Sequence, residues 1–550
     1  MGSILNPENS NSFIELVNSR DSEVFVDKTL FLSETNKVLK TTRKLLALTR
    51  PRRFGKSVTA DMLATYYSKG YDGQKFFEGL KISSNKDFAT HLNKYDVIYI
   101  DMNSIKARYD VYIAENKKVS GVNTLVNYLE YAIISDLKEE PRFTECLSKN
   151  EVENIGLYKA LIALNKDLNA QFIFIMDEWD LIYRDFRDEL QLQENFIKLL
   201  RALFKAKDGQ ACFALAYLTG ILPIKKYNSQ SALNNFDEYN MLTPGDFASY
   251  FGFTEEEVNG IVSSRSCKVT KSELKSWYEG YKIKDIDIYN PNSVCRAVSR
   301  NECISYWSGT SSNEEVVRLI NMNFKGIRND IIKLIEGEKI SFTCRNFQND
   351  MVSIKSKHDV FSLLVCLGYL GCSDSTNQYN KRAYVPNTEI RYVLMDIIRE
   401  QSWFNRQKSI RRSENLLNAI FKLDGDSVAA IIQEIHNSSA VSLLAYNNEE
   451  SLAYCVMAGL MWATLDDYTS HREEQSGKGR VDLVYIPKNN DGPLILIEFK
   501  YDTSAEEAIS QIKSREYFKG YMKDYPHIIM VGINYSTQTK EHQCVIEQLC

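Results

Sequence analysis

The sequence predicts an α/β protein. A parallel sheet wrapped by helices comes first, then a mainly helical middle, then a smaller α/β unit at the C-terminus. Three observations predict it. Short apolar runs alternate with helical patterns over residues 15–245. One of these runs leads through a glycine-bearing loop into a helical pattern, as a parallel strand does when it delivers a loop to a helix N-terminus. Near the C-terminus, two β-rich runs flank a strong turn.

The first strand is Leu45-Leu46-Ala47-Leu48-Thr49, and Val58 to Ser68 reads as the helix that follows. Between them lies Arg50-Pro51-Arg52-Arg53-Phe54-Gly55-Lys56-Ser57. Strand, loop with Gly-Lys-Ser, and helix together make a phosphate-binding loop. Backbone N–H groups at the helix start lack intrahelical partners, and the helix dipole favours negative charge there. Gly55 lets the backbone approach phosphate oxygens, Lys56 can reach the β- and γ-phosphates, and Ser57 can offer its hydroxyl to Mg²⁺. Arg53, Phe54 and Val58 flank them in the candidate nucleotide cradle. Arg50 stands where the pattern G-x-x-x-x-G-K-[ST] has its first glycine, so the loop begins differently, with Pro51 fixing φ. Arg52 and Arg53 are placed to act on phosphates or to brace the loop.

Val97–Met102, Phe172–Met176 and Cys212–Thr219 are the next candidate strands. Phe172-Ile173-Phe174-Ile175-Met176 is wholly apolar and ends in Asp177-Glu178, as a central parallel strand does when its C-terminal end carries function. Asp177 would hold Mg²⁺, directly or through water, and Glu178 would polarise an attacking water. The alternative is a strand ending in a solvated acidic turn. Loop and acidic pair together predict ATP and Mg²⁺ as cofactors. Thr219 ends the fourth strand, where it could sense the γ-phosphate or merely serve the turn at Gly220.

The 550 residues are 44% apolar and 25% charged, ordinary for a globular protein of several domains. The net charge of −5 excludes a global basic field, so any nucleic-acid contact comes from local patches. Eleven Cys with no C-x-x-C pair suggest reduced thiols and no structural zinc. Residues 1–11 show no signal-peptide pattern, and Asn6 stands where a myristoylation signal at Gly2 needs Ser or Thr. The longest mostly apolar stretch, Val360 to Cys372, is too short for a bilayer. A cytoplasmic protein without a membrane partner is expected.

The region from about 246 to 440 reads as mostly helical. Asn290-Pro291 forms an N-cap with Pro at the first helical position. Phe361–Leu370, a polar turn, Arg382–Val385 and a helix from Glu389 form either a winged-helix-like unit or a plain helical lid. Lys408, Arg411 and Arg412 are a basic cluster, read as a solvated helix face before a nucleic-acid contact.

The C-terminal hairpin pairs Val481–Pro487 with Leu494–Lys500 across Lys488-Asn489-Asn490-Asp491-Gly492. Centred on Asn490, it sets Asp482 opposite Glu498, with Lys500 on the face of Glu498 and Arg480 opposite Lys500. Val481, Leu483, Tyr485, Ile495, Ile497 and Phe499 fall on the other face as core. Opposed carboxylates, with Cβ atoms about 5 Å apart, repel each other. A divalent cation removes the conflict, and two carboxylates with a backbone carbonyl and waters suit Mg²⁺. Lys500 could then orient or deprotonate the water that attacks a phosphodiester. The alternative is a solvated polar hairpin end with Lys500 neutralising one acid. A helix over Ser451–Thr464 opens with Glu449 and Glu450, of which Glu449 is a further candidate metal ligand or only a dipole partner. A helix over Ala505–Phe518 carries Gln511 and Tyr517 as candidate contacts to strand backbone.

Asp482, Glu498-x-Lys500 and Gln511 resemble the PD-(D/E)XK nuclease core. The N-terminal part is similar to the AAA-ATPase-like family that carries such a nuclease at its C-terminus. The shared strings include Phe25-Val26-Asp27-Lys28-Thr29, the loop itself, Leu218-Thr219-Gly220-Ile221-Leu222-Pro223 and Trp277-Tyr278-Glu279-Gly280-Tyr281. Tyr289-Asn290-Pro291, Gly479-Arg480-Val481-Asp482 and Gly532-Ile533-Asn534-Tyr535 continue them in order. Arg50 is the usual residue there, whereas Val481 replaces the proline that names the superfamily. The resemblance implies a P-loop NTPase (AAA-like) parallel sheet with helices on both faces over 1–245, a mainly helical region over 246–440, and a restriction-endonuclease-like α/β domain over 441–550. It implies nucleotide and Mg²⁺ at Lys56, Ser57, Asp177 and Glu178, and metal at Asp482 and Glu498 with Lys500 catalytic. The expected activity is nucleotide-controlled cleavage of DNA, or of RNA. The alternative is a switch ATPase whose nuclease-like domain only binds nucleic acid or a partner. Self-association is left open.

Overall fold

The computed structural model describes residues 11–549 except 71, 116–118, 120, 150–155, 225, 228–229, 232, 266, 285, 308–311, 323, 346, 348–353, 378, 401–407, 438–448, 465–466 and 490–491. The readings at Gly2, Asn6, Asn490 and Asp491 lie outside the described residues. The chain divides into two compact units, Met1–Lys325 with Ser341–Val393, and Gly326–Ile340 with Leu394–Cys550.

The first unit is built on a five-stranded parallel sheet. Its strands are β1 (Leu45–Thr49), β2 (Asp96–Asp101), β3 (Phe172–Asp177), β4 (Phe213–Gly220) and β5 (Asp237–Tyr239), in the order β2-β3-β4-β1-β5. Every residue of β1, β3 and β4 is buried, as unbroken apolar runs require of strands covered on both faces. On one face, helix α1 (Lys56–Tyr67) packs on Leu46, Leu48, Ile175, Leu215 and Tyr217. On the other, Phe204 of the helix Leu190–Phe204 sits 5.2 Å from Phe174 and 5.0 Å from Phe213, ring centre to ring centre.

The second strand ends one residue earlier than the sequence suggests. Asp101 caps the helix Met102–Ala114 by accepting the N–H groups of Asn103 and Ser104, which draws Met102 into the helix. Cys212 closes a short helix ahead of β4. β5 was not foreseen: it has three half-buried residues at the sheet edge and no apolar run.

The middle region is mainly helical. Asn290 caps the helix Pro291–Arg300, accepting from Ser293 N at 3.3 Å. Two three-stranded sheets interrupt the helices, one of Phe253–Thr254, Ile286–Tyr289 and Tyr281–Ile283, the other of Ile340–Thr343, Asn380–Tyr384 and Gly371–Asn377. The helix read at Phe361–Leu370 spans Lys357–Leu367, and Thr388–Glu400 follows the hairpin. On the helix Lys408–Phe421, Arg411 is exposed and Arg412 pairs with Glu336 at 3.8 Å.

The second unit holds a mixed sheet of β6 (Tyr468–Ser476), β7 (Gly479–Pro487), β8 (Leu494–Tyr501), β9 (Ile528–Ser536) and β10 (Glu541–Leu549), in that spatial order. Only the β8–β9 pair is parallel. One face, with Leu483, Tyr485, Ile495, Ile497 and Phe499, shares a core with helix α2 (Glu449–Thr464). The other buries Val484, Leu494 and Leu496 with Ile509 and Ile512 of helix α3 (Ala505–Ser514). Val481 joins this second core and not the face of Leu483 expected from strict alternation. Its partner strand β6 carries Glu473 at φ +49°, a local break in the pleat one residue from Val481's partner Glu474.

Gly532 on β9 is where α3 crosses closest. A Cβ there would stand 2.4 Å from the Ala505 carbonyl oxygen and 3.0 Å from both Ala508 Cβ and Ile509 Cγ1. Gly532→Ala is expected to destabilise the second unit by about 1–3 kcal/mol, because helix backbone must shift. A thermal melt of the variant checks this; an unchanged melting temperature would show that α3 yields freely.

Candidate functional site

Each unit brings one set of expected residues together. In the first, the loop leaves β1 and α1 begins at Lys56 with Gly55 as N-cap, at φ +84°, a left-handed geometry that favours glycine. Lys56 is buried, and its Nζ donates to the Pro51 carbonyl at 2.9 Å. Burial lowers the Lys56 pKa, against the pull of Glu178 and Asp177.

The Ser57 hydroxyl hydrogen-bonds the Asp177 carboxylate at the end of β3. Asp177 is 2% exposed, and burial followed by the neighbouring Glu178 pushes its pKa up to about 7. A hydroxyl and a carboxylate joined beside a helix N-terminus are the ligands a Mg²⁺–nucleotide uses. β4 lies between β1 and β3, with Thr219 beside Leu48, so the buried Thr219 stands between the loop strand and the acidic strand.

Glu178 has φ +54°, and its carboxylate is ion-paired with Arg184. Arg184 in turn reaches Asp180 at 3.1 Å, and Asp180, fully buried, accepts the Leu222 N–H at 2.9 Å. Sequence reasoning missed both Asp180 and Arg184; their only signal was the i, i+4 acid–base spacing behind Asp177-Glu178.

A cavity of about 660 Å³ opens at this loop. Arg53, Phe54, Gly55, Lys56, Ser57 and Val58 all line it, with Glu178 and Arg184. Its lining also includes an apolar set, Phe13, Val24, Val26, Met62, Tyr250 and Phe253, which forms part of its wall. A cavity of this size with both charged and apolar lining suits a small-molecule ligand such as a nucleotide. Nothing in the sequence marked that wall, because its residues come from separated segments. Asp177 and Thr219 lie behind the lining. Arg53 also donates to the Tyr306 carbonyl and stands at φ +70°, so it braces the loop as well as facing the cavity.

In the second unit, Asp482 and Glu498 meet where two strands open. The β7–β8 pairing runs Tyr485–Ile495, Val484–Leu496 and Leu483–Ile497, and its register points Asp482 at Glu498. The ladder of backbone pairs between these two strands ends at Leu483–Ile497. Instead each carboxylate accepts an N–H of the other strand: Phe499 N donates to Asp482 Oδ2 at 2.7 Å, and Asp482 N donates to Glu498 Oε2 at 3.4 Å. On its other edge Arg480 pairs with Gln475 of β6, and the β7–β8 ladder ends before it reaches Lys500.

Glu498 is 1% exposed; burial and then Asp482 push its pKa up to about 8. Burial likewise raises Asp482, against the Phe499 N–H bond and Lys500. Lys500 Nζ lies 3.6 Å from Glu498 Oε1, 3.8 Å from Glu449 Oε1, and donates to the Phe499 carbonyl at 3.0 Å. Gln511 and Tyr517 do not serve strand backbone as expected. The Gln511 amide donates to Glu498 Oε1 and, at 3.3 Å, to the Tyr517 hydroxyl, fixing the carboxylate from α3.

A buried and a half-buried carboxylate that both resist ionisation side by side are a fit for a divalent cation. Asp482, Glu498 and the Phe499 carbonyl are the groups that could hold it. Among the described residues no three His, Cys, Asp or Glu side chains come together as a metal cluster, so Glu449 faces Lys500 without completing one.

The raised Glu498 pKa has a definite sign. Between its ordinary value of 4.5 and about 8, the folded protein keeps a proton that the unfolded chain has released. Metal-free stability therefore falls as pH rises through that window, by at most about 1.4 kcal/mol per pH unit for this group. Melts from pH 5 to 8 in EDTA are expected to show the fall, Mg²⁺ to offset it, and Glu498→Gln to flatten it between pH 7 and 8.

Comparison with known proteins agrees with this division. Residues 10–228 match the family model described as "Predicted AAA-ATPase", and residues 447–544 match that of the PD-(D/E)XK nuclease superfamily. The chain is similar to the "Uncharacterized protein in vnfD 5'region" of Azotobacter chroococcum mcd 1, 22% identical over 515 residues, 90% of each chain. The solved ORC2 protein of Aeropyrum pernix, in ADPNP-ADP complexes, is 12% identical at a TM-score of 0.28, over 68% of this chain and 92% of that one. That score is too low to support the fold, which stands on strand order and register. The chain thus joins a domain of the predicted AAA-ATPase family to a domain of the PD-(D/E)XK nuclease superfamily.

Proposed function

We propose that the protein binds and hydrolyses ATP at the first site and cleaves phosphodiester bonds of nucleic acid, DNA first, at the second, under control of the bound nucleotide. The observation that carries the cleavage reading is the half-buried Asp482 against the buried Glu498, with Lys500 alongside at an open strand end. Lys56 and Ser57 hold the triphosphate and its Mg²⁺ with Asp177; Glu178 orients the attacking water, and Thr219 monitors the γ-phosphate. A divalent cation between Asp482 and Glu498 supplies the charge that stabilises attack on phosphorus. Lys500 orients or takes a proton from the attacking water, and Gln511 keeps Glu498 aimed at the opening. Every described cysteine is a free thiol, which fits a reducing cytoplasm. Boundaries near residues 245 and 440 belong to the same proposal.

The test is metal-dependent cleavage by the purified protein beside Lys500→Ala. Loss of cleavage in the variant is expected. The switch-ATPase reading is the alternative. It wins if the wild type hydrolyses ATP but cuts neither DNA nor RNA in Mg²⁺ or Mn²⁺.

A further inference from the structure

Arg50, which replaces the first glycine of the usual loop pattern, is fully buried at the end of β1. Its Nη1 donates to the Thr49 carbonyl at 2.9 Å and to the Tyr239 carbonyl at 3.1 Å, tying together the ends of β1 and β5. Among the described residues its Nε and Nη2 find no hydrogen-bond partner. The guanidinium lies 5.6 Å from the Phe251 ring centre, and among the described residues no carboxylate pairs with it. Burial lowers its pKa to about 10, which leaves it charged at neutral pH.

A buried cation without a counter-ion is costly, and two carbonyls could be braced by a neutral donor. The charge therefore asks for an anion nearby. The chain passes directly from Arg50 into Pro51, whose carbonyl accepts Lys56 Nζ, so two buried cations bracket the loop. Lys56 faces Glu178, Asp177 and Asp180, which offset its charge. Arg50 faces no acid, and it does not line the cavity.

We propose that Arg50 is a phosphate-site cation that acts from beneath the loop, through its field and not by contact, and so favours the more highly charged nucleotide. Buried charges are weakly screened, so the effect survives salt better than that of a surface arginine. The inference rests on the loop being a nucleotide site.

Calorimetry with ATP and ADP on the full chain tests it, using wild type, Arg50→Lys, Arg50→Met and Arg50→Gln. The neutral variants are expected to weaken ATP on the order of tenfold, and ADP less. Arg50→Lys is expected to stay within about threefold of wild type for ATP, since it keeps the charge. Arg50→Gln, neutral but with an amide donor, stands in if Arg50→Met does not fold. Unchanged ATP affinity in the neutral variants, equal loss of ATP and ADP, or failure of both neutral variants to fold would make Arg50 a structural brace and overturn the proposal. A wild type that binds neither nucleotide would instead sink the loop reading.

Discussion

Lys56→Ala is expected to abolish measurable ATP binding, with at least about a hundredfold loss of affinity. A charge-assisted hydrogen bond to phosphate contributes about 1.5–3 kcal/mol, so two of them, to the β- and γ-phosphates, contribute about 3 kcal/mol or more, over a hundredfold. Lys56 is buried at the loop, so water cannot replace its charge. Among the described residues its ammonium hydrogen-bonds only the Pro51 carbonyl, and removing it should change the melting temperature little. Calorimetry with Mg²⁺–ATP reads the affinity. Undiminished binding would show that the Gly55-Lys56-Ser57 segment does not hold the nucleotide.

Asp482→Asn is expected to abolish cleavage, by about a thousandfold or more, while folding and ATP hydrolysis persist. The amide keeps the size of the carboxylate and can still accept the Phe499 N–H through its oxygen. It cannot supply the negative charge that holds a divalent cation beside Glu498. Removing one of two repelling acids should also lower the Glu498 pKa, since Asp482 is the largest charge that raises it. A gel assay on labelled DNA reads cleavage and phosphate release reads ATPase. Loss of both activities together would mean that the two sites are energetically linked.

Parts of this were legible in the sequence because single segments carry them. β1, the loop and α1 are contiguous, and the five apolar residues before Asp177 can only be a buried strand. The Asp482–Glu498 register followed from a turn centre at residue 490, and the observed pairs keep it. That the strands part at that point was not legible, because a side chain replacing a ladder bond leaves no periodic trace. β5 and β6 were hidden for the opposite reason, being edge strands with mixed polar faces. Asp180 meets the backbone of Ile221 and Leu222 only when β3 and β4 lie side by side, and from there it holds Arg184 beside Glu178. The apolar cavity wall draws on Phe13, Val24, Met62 and Tyr250, too far apart in sequence to be grouped.

The most direct measurement is cleavage of a panel of double-stranded DNA, single-stranded DNA and RNA by the wild-type chain in Mg²⁺, with and without ATP. Cutting that needs the metal, changes in rate when ATP is added and disappears in Asp482→Asn is the predicted result. An intact panel under every condition, from a protein that still turns over ATP, would contradict it.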